Sequence, residues 1–284
     1  MNILIIPNLG KRNTVECTQE VIRRLEGYHC ATYMEGYYLA HFRDQGVRLY
    51  EPQLHQGMID MVLSIGGDGT MIQSAHQAME IGCPVLGINA GRLGFLTELE
   101  YNDLSTLEKV VNHDYTIQNR MLIQAKLIHE GKKSVFKAIN DIVISKGELA
   151  KMVDIEVETK NGFLSSYRAD GLIFSTPTGS TAYALSAGGP IIYASMDTIM
   201  ITPICPHSLF SRAILYSPEE VFRVRGRYVN NPDILYMTVD GENGVRIDPE
   251  DTIYISRYPK TAQFVSFGSN AYYEKINKKI LGRG

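Results

Sequence analysis

Met61-Val62-Leu63-Ser64-Ile65-Gly66-Gly67-Asp68-Gly69-Thr70-Met71-Ile72-Gln73-Ser74-Ala75 decides the fold class of this 284-residue chain. The apolar run Met61–Ile65 is short and closes on glycines, the pattern of a buried strand, and Thr70 opens a helix. Three glycines in the turn let the backbone take positive φ and approach a ligand closely. Its N–H groups, with the following helix N-terminus, form an anion site that suits phosphates. Asp68 stands in the middle of that site. It would repel a polyphosphate unless it meets a metal ion or takes a proton from a hydroxyl about to be phosphorylated. The combination points to phosphoryl transfer to an alcohol. The same residues also describe a tight strand-to-helix connection with Asp68 as N-cap. No GxxxxGK[ST] is present and no lysine follows the glycines, which excludes a P-loop. GxGxxG fails because Ile72 takes the third glycine's place.

Outward from this turn the first hundred residues alternate strand and helix. Ile3–Ile6 reads as a strand, Thr14–Leu25 as a helix, Thr70–Ile81 as a helix, and Pro84–Ile88 as a strand ending in Asn89-Ala90-Gly91. Such alternation means a parallel sheet covered on both faces. Ligands in such sheets sit beyond the carboxyl ends of the strands, where Gly66–Thr70 and Asn89–Gly94 fall. A helix over Asp103–Val111 precedes a change of character. From Arg120 to Phe267 the chain reads as short alternating strands: Met121–His129, Ala138–Ser145, Asp154–Thr159, Gly171–Ser175, Ile234–Val239, Thr252–Ser256 and Gln263–Phe267. One helix interrupts them near Thr181–Ala187. In the tail Ala271–Gly284, Tyr273, Ile276 and Ile280 recur at helical spacing with Lys275, Lys278 and Lys279 between them.

Composition narrows the class further. With 44% hydrophobic and 21% charged residues and a formal net charge of −3, the chain is an ordinary globular protein without a basic nucleic-acid footprint. Cys17, Cys30, Cys83 and Cys205 form no CxxC pair and have no histidine at ligand spacing, so neither zinc nor a disulfide framework is expected. The N-terminal apolar run is too short for a signal peptide, and no 18-residue apolar stretch suggests a membrane span. A cytoplasmic location is expected.

Three further segments bear on the chemistry. Gly91-Arg92-Leu93-Gly94-Phe95-Leu96 follows a strand, and Phe95 is available to stack on a ring, although a loop carrying a core phenylalanine has the same pattern. Asn140-Asp141 precedes the apolar Ile142-Val143-Ile144. Polar residues there either end a strand at the surface or pair with ribose hydroxyls and an adenine edge, since a carboxylate accepts two hydroxyl protons at once. Arg168-Ala169-Asp170-Gly171 leads into Thr176-Pro177-Thr178-Gly179-Ser180-Thr181-Ala182-Tyr183-Ala184-Leu185-Ser186-Ala187-Gly188-Gly189-Pro190. That density of hydroxyls exceeds what packing explains and offers donors without net charge, apt for a neutral nucleoside or an amide.

Through these segments the chain closely resembles the NAD kinases, which phosphorylate NAD to NADP. Gly66–Gly69 alone is shared with diacylglycerol, sphingosine and 6-phosphofructo-kinases; the long block from Asp170 to Pro190 is the specific part. The resemblance implies that Asp68 is the general base, with Gly66, Gly67, Gly69 and Thr70 as the phosphate-binding loop and Asp68 and Gly69 also touching NAD. It implies that Asn140 and Asp141 hold the ribose and adenine region, with Phe95 beside the adenosine. Lys151, Arg168 and Asp170 would contact the dinucleotide, and Thr178, Thr181, Ala182, Tyr183 and Ser186 would line its ring pockets. In the family Asp240-Gly241 is commonly followed by glutamine; here Glu242 follows, and a carboxylate cannot donate an amide's hydrogen bonds.

The implied reaction transfers the γ-phosphoryl group of ATP, or of polyphosphate, to the 2′-hydroxyl of the adenosine ribose. Mg²⁺ would come with the donor near Asp68 rather than at a fixed protein site. The implied partners are NAD and ATP, in a homodimer or homotetramer, with no nucleic acid and no membrane. The rival readings are another GGDG kinase acting on a lipid or sugar, and a non-catalytic NAD-binding sensor. The expected fold is α/β: a Rossmann-like parallel domain over residues 1–100 with 269–284, and a largely antiparallel all-β domain over 101–268. The C-terminal helix is expected to return to the first domain.

Overall fold

The computed structural model describes every residue except 56, 92–93, 148–150, 228–234, 243, 269–274, 279–281 and 283–284. The chain divides into two compact units, Met1–Asn119 with Ala262–Gly284, and Arg120–Thr261. In the first unit the elements run β1 (Asn2–Pro7), α1 (Thr14–Gly27), β2 (Ala31–Met34), α2 (Gly36–Leu39), β3 (Arg48–Leu49), α3 (Pro52–His55), β4 (Met61–Gly66), α4 (Asp68–Ile81), β5 (Val85–Asn89), β6 (Leu99–Glu100) and α5 (Leu107–Val111). The strands lie parallel in the order β3-β2-β1-β4-β5, with β6 beside β5.

The order reverses between β1 and β4. There the carboxyl ends of two neighbouring strands open in the same direction, the place where doubly wound sheets bind ligands. Every residue of β4 is buried, as a central parallel strand with both faces covered requires. Ile3, Ile5, Leu63, Ile65, Leu86 and Ile88 form a core with Cys17, Val21, Ile22 and Leu25 of α1. Each fully buried aliphatic side chain of this kind contributes about 1.5–3 kcal/mol. α4 starts at Asp68, two residues earlier than its sequence predicts, and stops at Gly82, whose φ of 89° supplies the left-handed cap.

The second unit carries β7 (Thr116–His129, entering from the first), β8 (Lys132–Ala138), β9 (Asp141–Lys146), β10 (Val153–Thr159), β11 (Gly162–Ala169), β12 (Gly171–Ser175), α6 (Tyr183–Ser186), β13 (Ile199–Ile204), β14 (Ile214–Tyr216), β15 (Phe222–Arg227), β16 (Leu235–Val239), β17 (Val245–Ile247) and β18 (Thr252–Ser266). One antiparallel group runs β11-β10-β15-β18 with the β7–β8 hairpin; the other runs β14-β13-β12-β9-β16-β17. Their inner faces meet in a core that includes Ile142, Ile155, Phe174 and Phe222. Tyr216 packs edge-on against Phe222 at 5.2 Å.

The α/β-plus-antiparallel architecture is the one expected, but several boundaries differ. Ala138–Ser145 is two strands, because the chain bends at Ile139–Asn140. Thr252–Ser256 and Gln263–Phe267 are the two ends of the single long strand β18, whose Phe264 lies beside Val85 of β5. Asp103–Val111 is a 3₁₀ turn, Tyr101–Thr106, followed by the short α5; Asp103 has a non-helical φ of −119°. The helix near Thr181 is a 3₁₀ turn, Thr178–Thr181, then α6. In the tail, residues 275–278 are helical and Lys275 Nζ pairs with Glu98 Oε2 at 3.3 Å in the same unit. Tyr273 and Ile280 lie outside the described residues, as does Ile234.

Candidate functional site

The Gly66–Thr70 turn is built by close approach. Asn8, just past β1, donates its N–H to Ile65 O at 2.9 Å and its Nδ2 to Thr70 Oγ1 at 3.0 Å. A Cβ on Gly66 would come within 2.5 Å of that hydroxyl and 3.1 Å of Asn8 Cβ. One on Gly67 would collide with Lys11 Nζ. None of Gly66, Gly67 and Gly69 has positive φ, so the expectation of a left-handed turn is corrected: Gly66 is glycine because Thr70 and Asn8 occupy the space of a side chain, whereas at Gly67 that space holds only the movable end of Lys11. Gly69 is exposed, with no atom of the described residues within 4 Å of where a Cβ would stand.

Asp68 is the first residue of α4, and Gly67 is the cap; no side chain caps this helix. Instead Asp68 Oδ2 accepts the N–H of Phe95 at 2.9 Å and Oδ1 that of Leu96 at 3.0 Å. Two backbone donors therefore fix the carboxylate's orientation. A Cβ on Gly94 would collide with Asp68 Oδ1, so only glycine lets this loop close on the carboxylate. Arg92 and Leu93 of the same loop lie outside the described residues. In this unit the structure thus gathers Gly66–Thr70 and Phe95, and adds Asn8, Lys11 and Gly94.

Asn140 and Asp141 stand where β8 bends into β9. Asp240 (φ 51°) and Gly241 (φ 75°) form a type I′ turn closed by Glu242 N–H to Val239 O at 3.0 Å. The Asp240 carboxylate accepts three N–H groups, from Ile139 (2.9 Å), Asn140 (2.7 Å) and Asp141 (3.1 Å). Asp141 is only 5% exposed. Burial, and secondarily the Asp240 charge, push its carboxyl up to about 7. Asn140 Oδ1 is buried and has no hydrogen-bond partner among the described residues. A buried acceptor left unmade costs about 1–3 kcal/mol, which is tolerable where a ligand donor completes it.

The Thr176–Thr181 turn is locked to this bend. Thr176 N donates to Asn140 O at 2.9 Å and Thr176 Oγ1 to Ile139 O at 2.5 Å. A Cβ on Gly179 would overlap the Asn140 backbone. Ser180 Oγ donates to Pro177 O at 2.7 Å and accepts from Ile192 N at 2.9 Å. The expectation that packing does not explain these hydroxyls is therefore corrected for Thr176 and Ser180, which tie the loop to itself and its neighbours. Thr178 is buried, Thr181 and Ala182 are half-buried, and Tyr183 and Ser186 are exposed.

Other predicted residues stand apart from Asp141. Gly171 faces Ser145 and Ser175 faces Asp141 across the β9–β12 ladder. Asp170, one residue before that ladder, pairs with Lys146 Nζ at 2.9 Å. Five strand residues separate Asp170 from the Asp141 end, about 16 Å at the usual rise. Arg168, opposite Asp154, is exposed, as are Lys151 and Glu242. Among the described residues the one group of three potential metal ligands is His129, Asp248 and Asp251, which includes no predicted site residue. A cavity of about 590 Å³ lined by Glu35, Tyr50, His76, Gln77, Glu80 and Ile81 also lies away from them.

The family model for the ATP-NAD kinase N-terminal domain matches residues 3–115, and that for the C-terminal domain residues 139–267. The chain belongs to the NAD kinase family. It is 35% identical to the NAD kinase of Caldanaerobacter subterraneus over 283 residues, 98% of each chain, and 36% identical to that of Symbiobacterium thermophilum over 286 residues, again 98% of each. Two solved structures share the fold. One is a yeast NADH kinase in complex with NADH, at a TM-score of 0.89 and 24% identity over 99% of this chain and 87% of that one. The other is an Archaeoglobus fulgidus NAD kinase in complex with ATP, at 0.73 and 23% over 100% of both.

Within this NAD kinase fold, sequence reading misses Lys11, Asn8 and the role of Asp240. Asp240-Gly241 carries a hairpin-turn signature, but the backbone its carboxylate holds is about a hundred residues upstream. Lys11 has no local signal; the strand order β1-β4 alone brings it to the glycines.

Proposed function

We propose that this chain transfers the γ-phosphoryl group of ATP to the 2′-hydroxyl of the adenosine ribose of NAD, forming NADP. The observation that carries the reading is Asp68: a carboxylate held by two backbone N–H groups at a helix N-terminus, beside the open Gly69. As the 2′-oxygen bonds to phosphorus and the bond from the γ-phosphorus to its bridging oxygen breaks, Asp68 takes the hydroxyl proton and ADP leaves. In a loose transition state positioning supplies most of the rate, so a weak base suffices. Gly66, Gly67, Gly69 and Thr70 border the donor phosphates. Mg²⁺ brought with the donor would offset its charge near Asp68; polyphosphate is a second donor to test.

Asn140 Oδ1 accepts from the adenine amino group, Asp141 accepts ribose hydroxyls, and Phe95 flanks the adenosine. Thr178, Thr181, Ala182, Tyr183 and Ser186 line the ring pockets. Lys151, Arg168 and Asp170 contact the dinucleotide elsewhere along its length, and Glu242 weakens retention of the additional phosphate of NADP by charge repulsion. The protein works as a homo-oligomer, and in the cytoplasm, a location supported by four unpaired cysteines. Among the described residues no helix is long and apolar enough to cross a membrane.

The test supplies NAD, ATP and Mg²⁺ and reads NADPH through a coupled NADP-specific dehydrogenase. Wild type should turn over, and Asp68→Asn should lose roughly two to four orders of magnitude in kcat. The amide also turns an NH₂ toward one backbone donor, costing about 1–3 kcal/mol, so urea unfolding checks that the variant is folded. No NADPH from wild type sinks the function; a fully active Asp68→Asn sinks the base.

A further inference from the structure

The glycine turn poses an unsolved charge problem. A triphosphate arriving at Gly67–Gly69 meets the Asp68 carboxylate, and no lysine follows the glycines in sequence. The fold brings one from elsewhere. Asn8 to Lys11 form a tight turn beyond β1, closed by Lys11 N–H to Asn8 O at 3.1 Å and Gly10 N–H to Asn8 Oδ1 at 3.2 Å. The same Asn8 side chain is bonded to Thr70 of α4, so the turn is fastened to the glycine loop. Lys11 Nζ lies over Gly67, in the space a side chain there would fill. Lys11 is exposed, and among the described residues no carboxylate pairs with its ammonium.

An ammonium kept beside a carboxylate-bearing anion loop, yet left unpaired, is placed for an anionic ligand. We propose that Lys11 binds the phosphate chain of the phosphoryl donor, a nucleoside triphosphate or polyphosphate, at the start of α4. It does for this loop what the lysine after the glycines does in a P-loop, but from the β1–α1 connection. Three features support this. Both strands that lead into it end at the reversal of sheet order, where ligands bind. Lysine is a compact point charge that suits a phosphate without demanding bidentate geometry. Gly69, two residues on in the first turn of α4, leaves open room for the phosphate to approach. The inference rests on the kinase reading only for the identity of the acceptor, not for the donor contact.

The experiment measures ATP·Mg²⁺ binding by equilibrium dialysis without NAD, NAD binding separately, and steady-state kinetics, for wild type, Lys11→Met and Lys11→Arg. The expected result for Lys11→Met is a rise in ATP Kd and KM of roughly tenfold or more, typical of losing a charged phosphate contact. Its NAD Kd should stay within about twofold of wild type, and Lys11→Arg, which keeps the charge, within about threefold for ATP. ATP affinity of wild type should also fall more steeply with added KCl than that of Lys11→Met. Unchanged ATP binding in Lys11→Met overturns the proposal, as does an equal loss of NAD affinity, an arginine variant as weak as methionine, or a wild type that does not bind ATP. A wild type that binds ATP through Lys11 yet makes no NADPH overturns the kinase reading alone.

Discussion

Asp141 puts a charge where burial and a neighbouring carboxylate both oppose it, and its protonation therefore links folding to pH. Its carboxyl is raised from 3.8 to about 7. A raised folded value means that the native state holds the proton more tightly. The stabilisation is fully present below about pH 4 and is lost as pH rises through 7, with a slope of up to about 1.4 kcal/mol per pH unit. His129, raised by its bond to Asp251, acts in the same direction, its share lost as pH climbs past the ordinary histidine range. Asp141→Asn isolates the first effect. In urea titrations at pH 5 and pH 8 it should flatten the decline and exceed wild type in stability at pH 8. Binding of NAD should run the opposite way in wild type. Ribose hydroxyls donate to the ionised carboxylate, so the KM for NAD should rise as pH falls below about 7. A pH-independent KM would remove Asp141 from the dinucleotide.

At the scale of elements, two glycines in superficially similar turns serve opposite purposes. Gly179 is packed against the Asn140 backbone, and a methyl there has nowhere to go. Gly179→Ala should cost about 1–3 kcal/mol by overpacking and raise the KM for NAD by displacing Asn140. Gly69, in the first turn of α4, faces open space. Gly69→Ala should leave stability unchanged or improve it by up to about 1 kcal/mol, as in other helices, yet weaken ATP binding because the methyl stands in the phosphate's approach. Thermal melts with separate KM values for ATP and NAD distinguish the two. If both variants melt alike and bind both substrates alike, the two turns have no such division of labour.

On the scale of the whole molecule, each unit has its own apolar core. The second unit also leaves apolar surface uncovered at its edge. Leu209 is 84% and Phe210 90% exposed, and Ile214 and Leu215 of the edge strand β14 are exposed beside them in sequence. Exposed apolar groups next to an unpaired strand edge are what self-association covers. Light scattering should give two or four times the 31.8 kDa chain mass, and Phe210→Asp should lower it. A wild-type monomer at micromolar concentration would remove the homo-oligomer proposal.

Local rules were enough to read the centre of the parallel half of the fold, β1, β4, β5, α1 and α4, but not its edge strands β2, β3 and β6. Buried strands such as Met61–Ile65 are unbroken apolar runs, helices such as Thr14–Gly27 keep a 3.6-residue stripe, and glycines mark the turn at Asp68. The motif residues were equally legible as residues. Strands β11, β15 and β17 were not, because half-exposed antiparallel strands carry weaker patterns whose register depends on partners distant in sequence, nor was the buried β13, whose apolar run is interrupted by Thr202 and Pro203. The same limit applied to the site. Asp68's tie to Phe95 and Leu96, Asp240's hold on three upstream N–H groups, and the seat of Lys11 over Gly67 are contacts between segments about 27 to 100 residues apart in the chain. Sequence by itself determined which chemical groups this NAD kinase family member owns and the class of sheet that presents them. Tertiary structure alone decided which of those groups meet, since a hydrogen bond or a glycine-sized gap is set by distance in space and leaves no periodic trace along the chain.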